Sequence, residues 1–206
     1  MQLNSANIIH YQIIHYQLKN MPIIETAFPG LIIFEPTVIK DSRGYFFESY
    51  NEKLFDANGI TTRFVQDNQS KSSYGVIRGL HYQLNPYAQT KLVRVLSGSI
   101  MDVAVDIRKG SPTYGKAFCL ELSAENNKQL LIPNGFAHGF SVLSETAEVM
   151  YKCDNFYNKE SEAGILYNDA GLNIDWKIPT DKAIISEKDM QQPSLLNCKN
   201  NFVFEQ

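Results

Sequence analysis

Four histidines stand in this chain, and three of them open the same tripeptide, HYQ. His10 and His15 lie in the tandem IIHYQIIHYQ, His81 in VIRGLHYQ, and His138 in IPNGFAHGF. Imidazole is the side chain that most readily moves a proton near neutral pH, so each is a candidate base or metal ligand. The neighbours decide between them. His10 and His15 are five residues apart, a spacing that drifts round a helix and alternates faces on a strand. No cysteine or carboxylate lies close to them, so they make a poor metal pair. In VIRGLHYQ, strand alternation predicts Arg78, Leu80 and Tyr82 on one face, with Ile77, Gly79 and His81 on the other. Gly79 would leave room beside His81 for a ligand. TKLVRV sets Lys91 among Val93 and Val95, opposite Leu92 and Arg94. A lysine on an apolar face is costly to bury unless an anion meets it. MDVAVDI alternates Asp102, Ala104 and Asp106 against Val103, Val105 and Ile107, so one face of that strand is polar where a ligand cavity could lie. In EVMYKCDNFYN, Tyr151 and Tyr157 are six apart, which predicts one side of an extended strand, with a phenol as proton donor and an aromatic surface for a sugar or base.

Pro133, Gly135 and His138 form a Pro-x-Gly-x-x-His run of the kind found in cupin jelly rolls, where the histidine is often a metal ligand. The companion His-x-His is absent, and only His81 and His138 are available in the body of the chain. A metal-dependent cupin would need two or three further ligands. Cys119, Cys153 and Cys198 contain no CxxC pair, which argues against a disulfide framework or a zinc site and predicts buried or idle thiols in a reducing compartment.

The elements that must hold these residues read as strands. GLIIFEPTVIKD, TTRFVQDNQSKSSYG, VIRGLHYQ, TKLVRVLSGSIMDVAVDI, KAFCLELSAENN, KQLLIPNGFAHGFSVLS and AEVMYKCDNFYN are β-rich runs separated by Gly, Pro, Asn or Asp clusters. The SGS at residues 97–99 predicts a tight hairpin turn. Helical signal is scarce: Asn51 to Gly59 predicts one short helix capped by Asn51 and stopped by Gly59, and SEKDM a helical turn begun by Ser186. Many short strands with no linker predict an all-β antiparallel sandwich or barrel, such as a jelly roll, over residues 21–206. Residues 1–20 are predicted to be an extension ahead of a pattern that begins afresh at Met21. The tail NCKNNFVFEQ has no clear assignment. A length of 206 residues and a 44% hydrophobic content suffice for a sizeable core. The net charge of −3 gives no pointer to nucleic acid or an anionic membrane. No apolar run of about 18 residues predicts a membrane span, and the cytoplasm is the expected compartment.

Taken in order, SRGYFFESY, FVQDNQSKSSYGVIRGLHYQ, QTKLVRVLSGSIMDVAVDIRKGSPTYG, LIPNGFAHGF, MYKCDNFY, ILYNDAGLNIDW and ISEKD resemble the dTDP-4-dehydrorhamnose 3,5-epimerase family, from about Met21 to about Ser194. The resemblance implies a cupin-like jelly roll that needs no cofactor or metal, and a homodimer that exchanges strands. It implies a dTDP-linked 4-keto-6-deoxyhexose as substrate and a place in dTDP-L-rhamnose synthesis. It further implies His81 as the base, Asp189 of ISEKD as its carboxylate partner, Tyr151 as the opposing acid, and Lys91 beside the C4 oxygen. Arg78, His138, Gln66, Asn68, Tyr157, Glu162 and Lys188 match substrate-binding positions. Arg43 and Glu48 match positions at the nucleotide end that reach into a partner's site. The cations Arg43, Arg78, Lys91 and Lys188 would let a net-acidic protein hold a diphosphate. The competing expectations are a mono-epimerase or isomerase on a related 4-keto nucleotide sugar, a non-catalytic sugar-nucleotide-binding jelly roll, and a metal-dependent cupin oxygenase.

Overall fold

The structure is a computed structural model that describes residues 23–205. The IIHYQ tandem, with His10 and His15, lies outside the described residues. Two antiparallel sheets face one another. In the first, the spatial order is β1 (Ile23–Glu25), β2 (Ile32–Phe34), β10 (Gln129–Ile132), β7 (Lys91–Ser97), β12 (Thr146–Cys153) and β5 (Gln66–Ser73). In the second it is β13 (Glu162–Gly164), β6 (Val76–Gln83), β11 (Phe136–Val142), β8 (Ser99–Asp106) and β9 (Ala117–Ser123), with β14 (Ile184–Ile185) running parallel to β6. A separate hairpin joins β3 (Ile39–Asp41) to β4 (Gly44–Phe46). This is the jelly roll the strand runs predict. No helix among the described residues is long and apolar enough to cross a membrane.

Alternation along each strand fills the space between the sheets. Val93, Val95, Ile100, Ala104, Leu130, Ile132, Phe136, Phe140, Val142 and Val149 form the shared core. The outer face of the second sheet carries its own cluster, with Ile77, Leu80, Tyr82, Val103, Val105, Ile107, Ala137 and Trp176. Phe34, Phe55, Leu92 and Leu131 cover the outer face of the first sheet. There the helix α1 (Glu52–Ala57) packs, Phe55 stacking on Phe34 at 4.5 Å. Asn51 caps α1, its side-chain oxygen accepting from the backbone N–H groups of Lys53 and Leu54, and Gly59 follows the helix at φ +78°, as expected.

Two local readings of the sequence need correction. The Ser97-Gly98-Ser99 stretch is not a hairpin turn, because β7 and β8 belong to different sheets. It is the corner at which the chain leaves one sheet for the other. Nor does strand alternation hold through β6. His81 pairs with His138 and Arg78 with Phe140, so three steps on β6 match two on β11. This bulge breaks the period of two. Ile77, Leu80 and Tyr82 therefore share the outer cluster. Gly79 opens no space for a ligand either: a Cβ there would stand 2.5 Å from the Gly139 Cα. Its lack of a side chain serves the close approach of two backbones.

That approach should be sensitive to a single methyl group. At Gly139 an added Cβ would lie 2.6 Å from the Arg78 carbonyl oxygen and 3.2 Å from the Gly79 Cα. We expect Gly139→Ala to lower stability by about 1–3 kcal/mol, the usual cost of overpacking, measured as a lower urea midpoint at unchanged slope.

Candidate active site

The polar side chains singled out in the sequence meet at one end of the space between the sheets. On the second sheet, His81 Nε2 lies 2.7 Å from Asp189 Oδ1. Asp189 sits in α2 (Glu187–Met190), which Ser186 caps by accepting from the Asp189 N–H. The other Asp189 oxygen accepts from the Gly79 N–H at 3.3 Å. Burial alone would push the Asp189 carboxyl up, but the hydrogen bond and charge of His81, with the Gly79 N–H and Ser186, hold it below the usual carboxylate range. An ionised carboxylate only accepts, so the Nε2 that faces it carries a proton. The His81 ring is about one-third exposed (34%), whereas Asp189 is 5% exposed. A solvent-reachable imidazole is thus held by a buried carboxylate.

A second imidazole–carboxylate pair lies behind the first. His138 Nε2 is 2.8 Å from Asp102 Oδ1, and both residues are buried. Burial drives the His138 pKa down, against the pull of Asp102, which favours its neutral form at pH 7. The other Asp102 oxygen is buried without a hydrogen-bond partner among the described residues. Asp102 was visible in the sequence only as one carboxylate on the acidic face of MDVAVDI. Its neighbour Asp106, on the same face, does something else: it anchors a turn by accepting from Arg108, Ser111 and Thr113.

The opposing wall is the first sheet. Tyr151 on β12 packs on the shared core, and Lys91 Nζ stands 5.7 Å from its ring centre. Burial raises the Tyr151 pKa, so the phenol keeps its proton. Burial lowers the Lys91 pKa, opposed by Cys153 and Asp102, and no carboxylate among the described residues forms an ion pair with it. Cys153 is one of the buried thiols expected. The structure pairs it across the strands with Lys91 and buries it completely, with the Asn68 amide donating to its sulfur at 3.6 Å. Asn68 in turn accepts from Gln66, whose side-chain oxygen takes the Tyr157 N–H.

At the rim, Lys188 Nζ meets Glu162 at 2.6 Å and the Tyr157 hydroxyl donates to the same carboxylate at 3.2 Å. Tyr157 lies beyond the end of β12 and is exposed, so it is not on one strand face with Tyr151. The exposed Arg78 crosses from β6 to β5, its Nε donating to Ser72 at 3.1 Å. A cavity of about 370 Å³ opens beside the His81–Asp189 pair, with Arg78, Ser186 and Lys188 in its lining.

Arg43 and Glu48 are the two predicted site residues that the chain does not bring to this cluster. Arg43 is paired with Asp41, and Glu48 accepts from Asn51. The segment that carries them runs over the outer face of the first sheet, where Phe47 lies under Arg94 and Ser49 accepts from Gln129. Arg94 and Gln129 point away from the side on which Lys91 and Tyr151 stand, because alternation places them with Leu92 and Leu131.

The sequence profile described as dTDP-4-dehydrorhamnose 3,5-epimerase matches residues 25–197. A dTDP-4-dehydrorhamnose 3,5-epimerase of Shigella flexneri is 57% identical over 171 residues, 82% of this chain and 93% of that protein. The crystal structure of dTDP-4-dehydrorhamnose 3,5-epimerase from Elizabethkingia anophelis NUHP1 superposes with a TM-score of 0.81 at 57% identity, covering 84% of this chain and 96% of that one. The dTDP-6-deoxy-D-glucose-3,5-epimerase of Legionella pneumophila Philadelphia 1, solved with dTDP-4-keto-L-rhamnose, gives 0.83 at 49% identity, covering 86% and 94%.

The Lys91 environment carries a testable cost. A lysine with a depressed pKa opposes folding: the penalty is full below its folded value and fades as the pH rises from there to the ordinary value near 10.4. Lys91→Met should therefore raise the melting temperature at neutral pH, by about 2–4 °C per kcal/mol released, while removing activity. In the wild type, turnover should fall on the alkaline side below the ordinary lysine range. A lower melting temperature for Lys91→Met would show that favourable contacts outweigh the burial.

Proposed function

The chain belongs to the dTDP-4-dehydrorhamnose 3,5-epimerase family, and we propose that it inverts C3 and C5 of dTDP-4-dehydro-6-deoxy-D-glucose through enolate intermediates, giving dTDP-4-dehydro-L-rhamnose. It is an isomerase. The observation that carries the mechanism is the opposition of the His81–Asp189 pair on one sheet to Tyr151 and Lys91 on the other. Both carbons flank the C4 ketone, which acidifies their protons. Inversion needs a base on one face of the sugar and an acid on the other. In our reading His81 Nδ1 removes the proton, and Asp189 holds the ring and balances the imidazolium. Tyr151 returns a proton from the opposite wall. Lys91 stabilises the charge that develops on O4, and its partial desolvation strengthens that interaction.

Arg78, His138, Gln66 and Asn68 would contact the sugar and phosphates, and Tyr157, Glu162 and Lys188 the substrate at the rim. Arg43 and Glu48, carried on the outer face near the exposed Tyr45 and Phe46, would complete the nucleotide end of the site in a second copy, as part of a homodimer. The cytoplasm is where we expect the reaction, within dTDP-L-rhamnose synthesis. Residues 21–206 would be the catalytic domain and residues 1–20 dispensable.

Incubation with dTDP-4-dehydro-6-deoxy-D-glucose in deuterated buffer tests the chemistry by NMR. Wild-type protein should place deuterium at both C3 and C5. His81→Ala should lose at least a hundredfold in exchange and still bind dTDP. Tyr151→Phe should slow reprotonation more than proton removal. Label at one carbon alone would make the enzyme a mono-epimerase, and none at all would defeat the reading. Removal of residues 1–20 should leave the wild-type rate within about twofold; a large loss would give that segment a part in the site.

A further inference from the structure

The last residues of the chain, which no motif explained, lie directly behind the catalytic strands. The family profile ends at residue 197, yet residues 198–204 are tied into the outer face of the second sheet. Tyr82 follows His81 on β6 and faces the other way. Its ring is buried, and its hydroxyl donates to the Lys199 carbonyl at 2.5 Å. Two residues past the end of β6, the Asn201 side chain pairs with both backbone groups of Asn85, accepting from its N–H and donating to its carbonyl, each at 3.1 Å. On the far side, Lys109 gives its N–H to the Phe202 carbonyl and accepts from the Phe204 N–H. Asn200 donates to the Ile107 carbonyl. Between these anchors Phe202 is 4% exposed, edge-on to Tyr82 and packed with Leu80, Val105, Ile107 and Ala137.

The strands crossed in this way are β6, β11 and β8. They carry His81, His138 and Asp102, and His81 pairs with His138, which pairs with Ala104. The tail meets them at Tyr82 and Asn85, at Gly135, and at Ile107 and Lys109, only a few residues from that row. Its hydrogen bonds go to backbone groups at strand ends, where the sheet offers them no other partner, and to a phenol that would otherwise be buried unpaired.

We propose that residues 198–204 form a strap that positions the catalytic row, and that Tyr82 is the positioning residue through which it acts on His81. His81 is partly exposed on its inner side and depends for its backbone on what stands behind it. Leu80 and Tyr82, its two chain neighbours, are both held in the cluster that Phe202 closes. The inference rests on the epimerase reading, since positioning matters only if His81 moves protons. Loss of a few tenths of an ångström in the base is expected to act on turnover before it acts on binding.

The test is deuterium exchange at C3 and C5 by the full chain, comparing wild type with Tyr82→Phe, which removes only the hydroxyl, and Phe202→Ala, which unseats the strap. Each variant should lose roughly three- to tenfold in kcat, Phe202→Ala more than Tyr82→Phe, with KM and dTDP affinity within about twofold of wild type. Unchanged kcat in a folded variant, or a loss confined to KM, would overturn the proposal and leave the tail a purely stabilising element. Should Phe202→Ala fail to fold, Tyr82→Phe decides alone. Absence of exchange in the wild type would instead defeat the epimerase reading, so the two failures are distinct.

Discussion

One hydrogen bond, from His81 to Asp189, joins residues 108 positions apart and organises what surrounds it. Everything near Asp189 serves to deliver that carboxylate. β14 runs alongside β6 in register Ile184–Val76, Ser186 starts α2, and the four-residue helix turns Asp189 inward. The second carboxylate oxygen takes the Gly79 N–H, so the same side chain that orients the imidazole also holds the backbone at the β6 bulge. The bulge takes Arg78 out of the outer cluster that Ile77, Leu80 and Tyr82 occupy. A sheet of perfect alternation would have put Arg78 on the same face as Leu80 and Tyr82.

The interior that receives these groups is costly to build. The buried Asp102, Asp189 and His138 and the half-buried Lys91 and His81 border a core otherwise made of Val, Ile, Leu, Phe and Ala. Buried charge is tolerated when paired, and most of it here is: Asp189 with His81, and Asp102 with His138. Lys91 is the exception. It has a thiol beside it, an aromatic ring 5.7 Å away, and Asp102 as a more distant counter-charge. Such a group weakens the fold and is retained where function needs a cation that water does not already satisfy. An enolate oxygen is a suitable partner, because its negative charge appears only as the reaction proceeds.

Much of this was legible in the chain, and the failures share a cause. Lys91, Val93 and Val95 do lie on one face, because β7 is a regular inner strand. Asn51 and Ser186 do cap helices, because capping depends on residues three apart. The readings that failed needed partners distant in sequence. Ser97-Gly98-Ser99 looks like a hairpin turn whether the next strand pairs back or crosses to another sheet. Gly79 looks like space for a ligand until Gly139 is seen to fill it. The faces of β6 depend on a bulge defined by β11. Cys153 gains its interest only from Lys91 across the ladder, and Asp102 from His138 on the neighbouring strand. Asp189 lies in a segment whose local pattern asks for no buried carboxylate, and only the family resemblance pointed to it. The tail, with no alternation to read, is held by asparagine side chains and one buried phenylalanine.

Two inversions by one site follow from the arrangement, on the epimerase reading. C3 and C5 sit on either side of the C4 ketone, and loss of a proton from either carbon places charge on the same oxygen. One cation at that oxygen therefore serves both steps, and Lys91 need not move. The proposed base and acid, His81 and Tyr151, stand on different sheets, joined into one rigid core by Val93, Val149, Ala104 and Phe140, so they too are fixed. What changes between the two events, on this reading, is the sugar, which must turn between the two sheets to present its second C–H to His81. The rim residues Arg78, Lys188 and Tyr157 are exposed and lie outside the packed core, suited to gripping the nucleotide while the ring stays free to turn. A fixed catalytic frame with a mobile substrate explains why a double epimerase needs no second base.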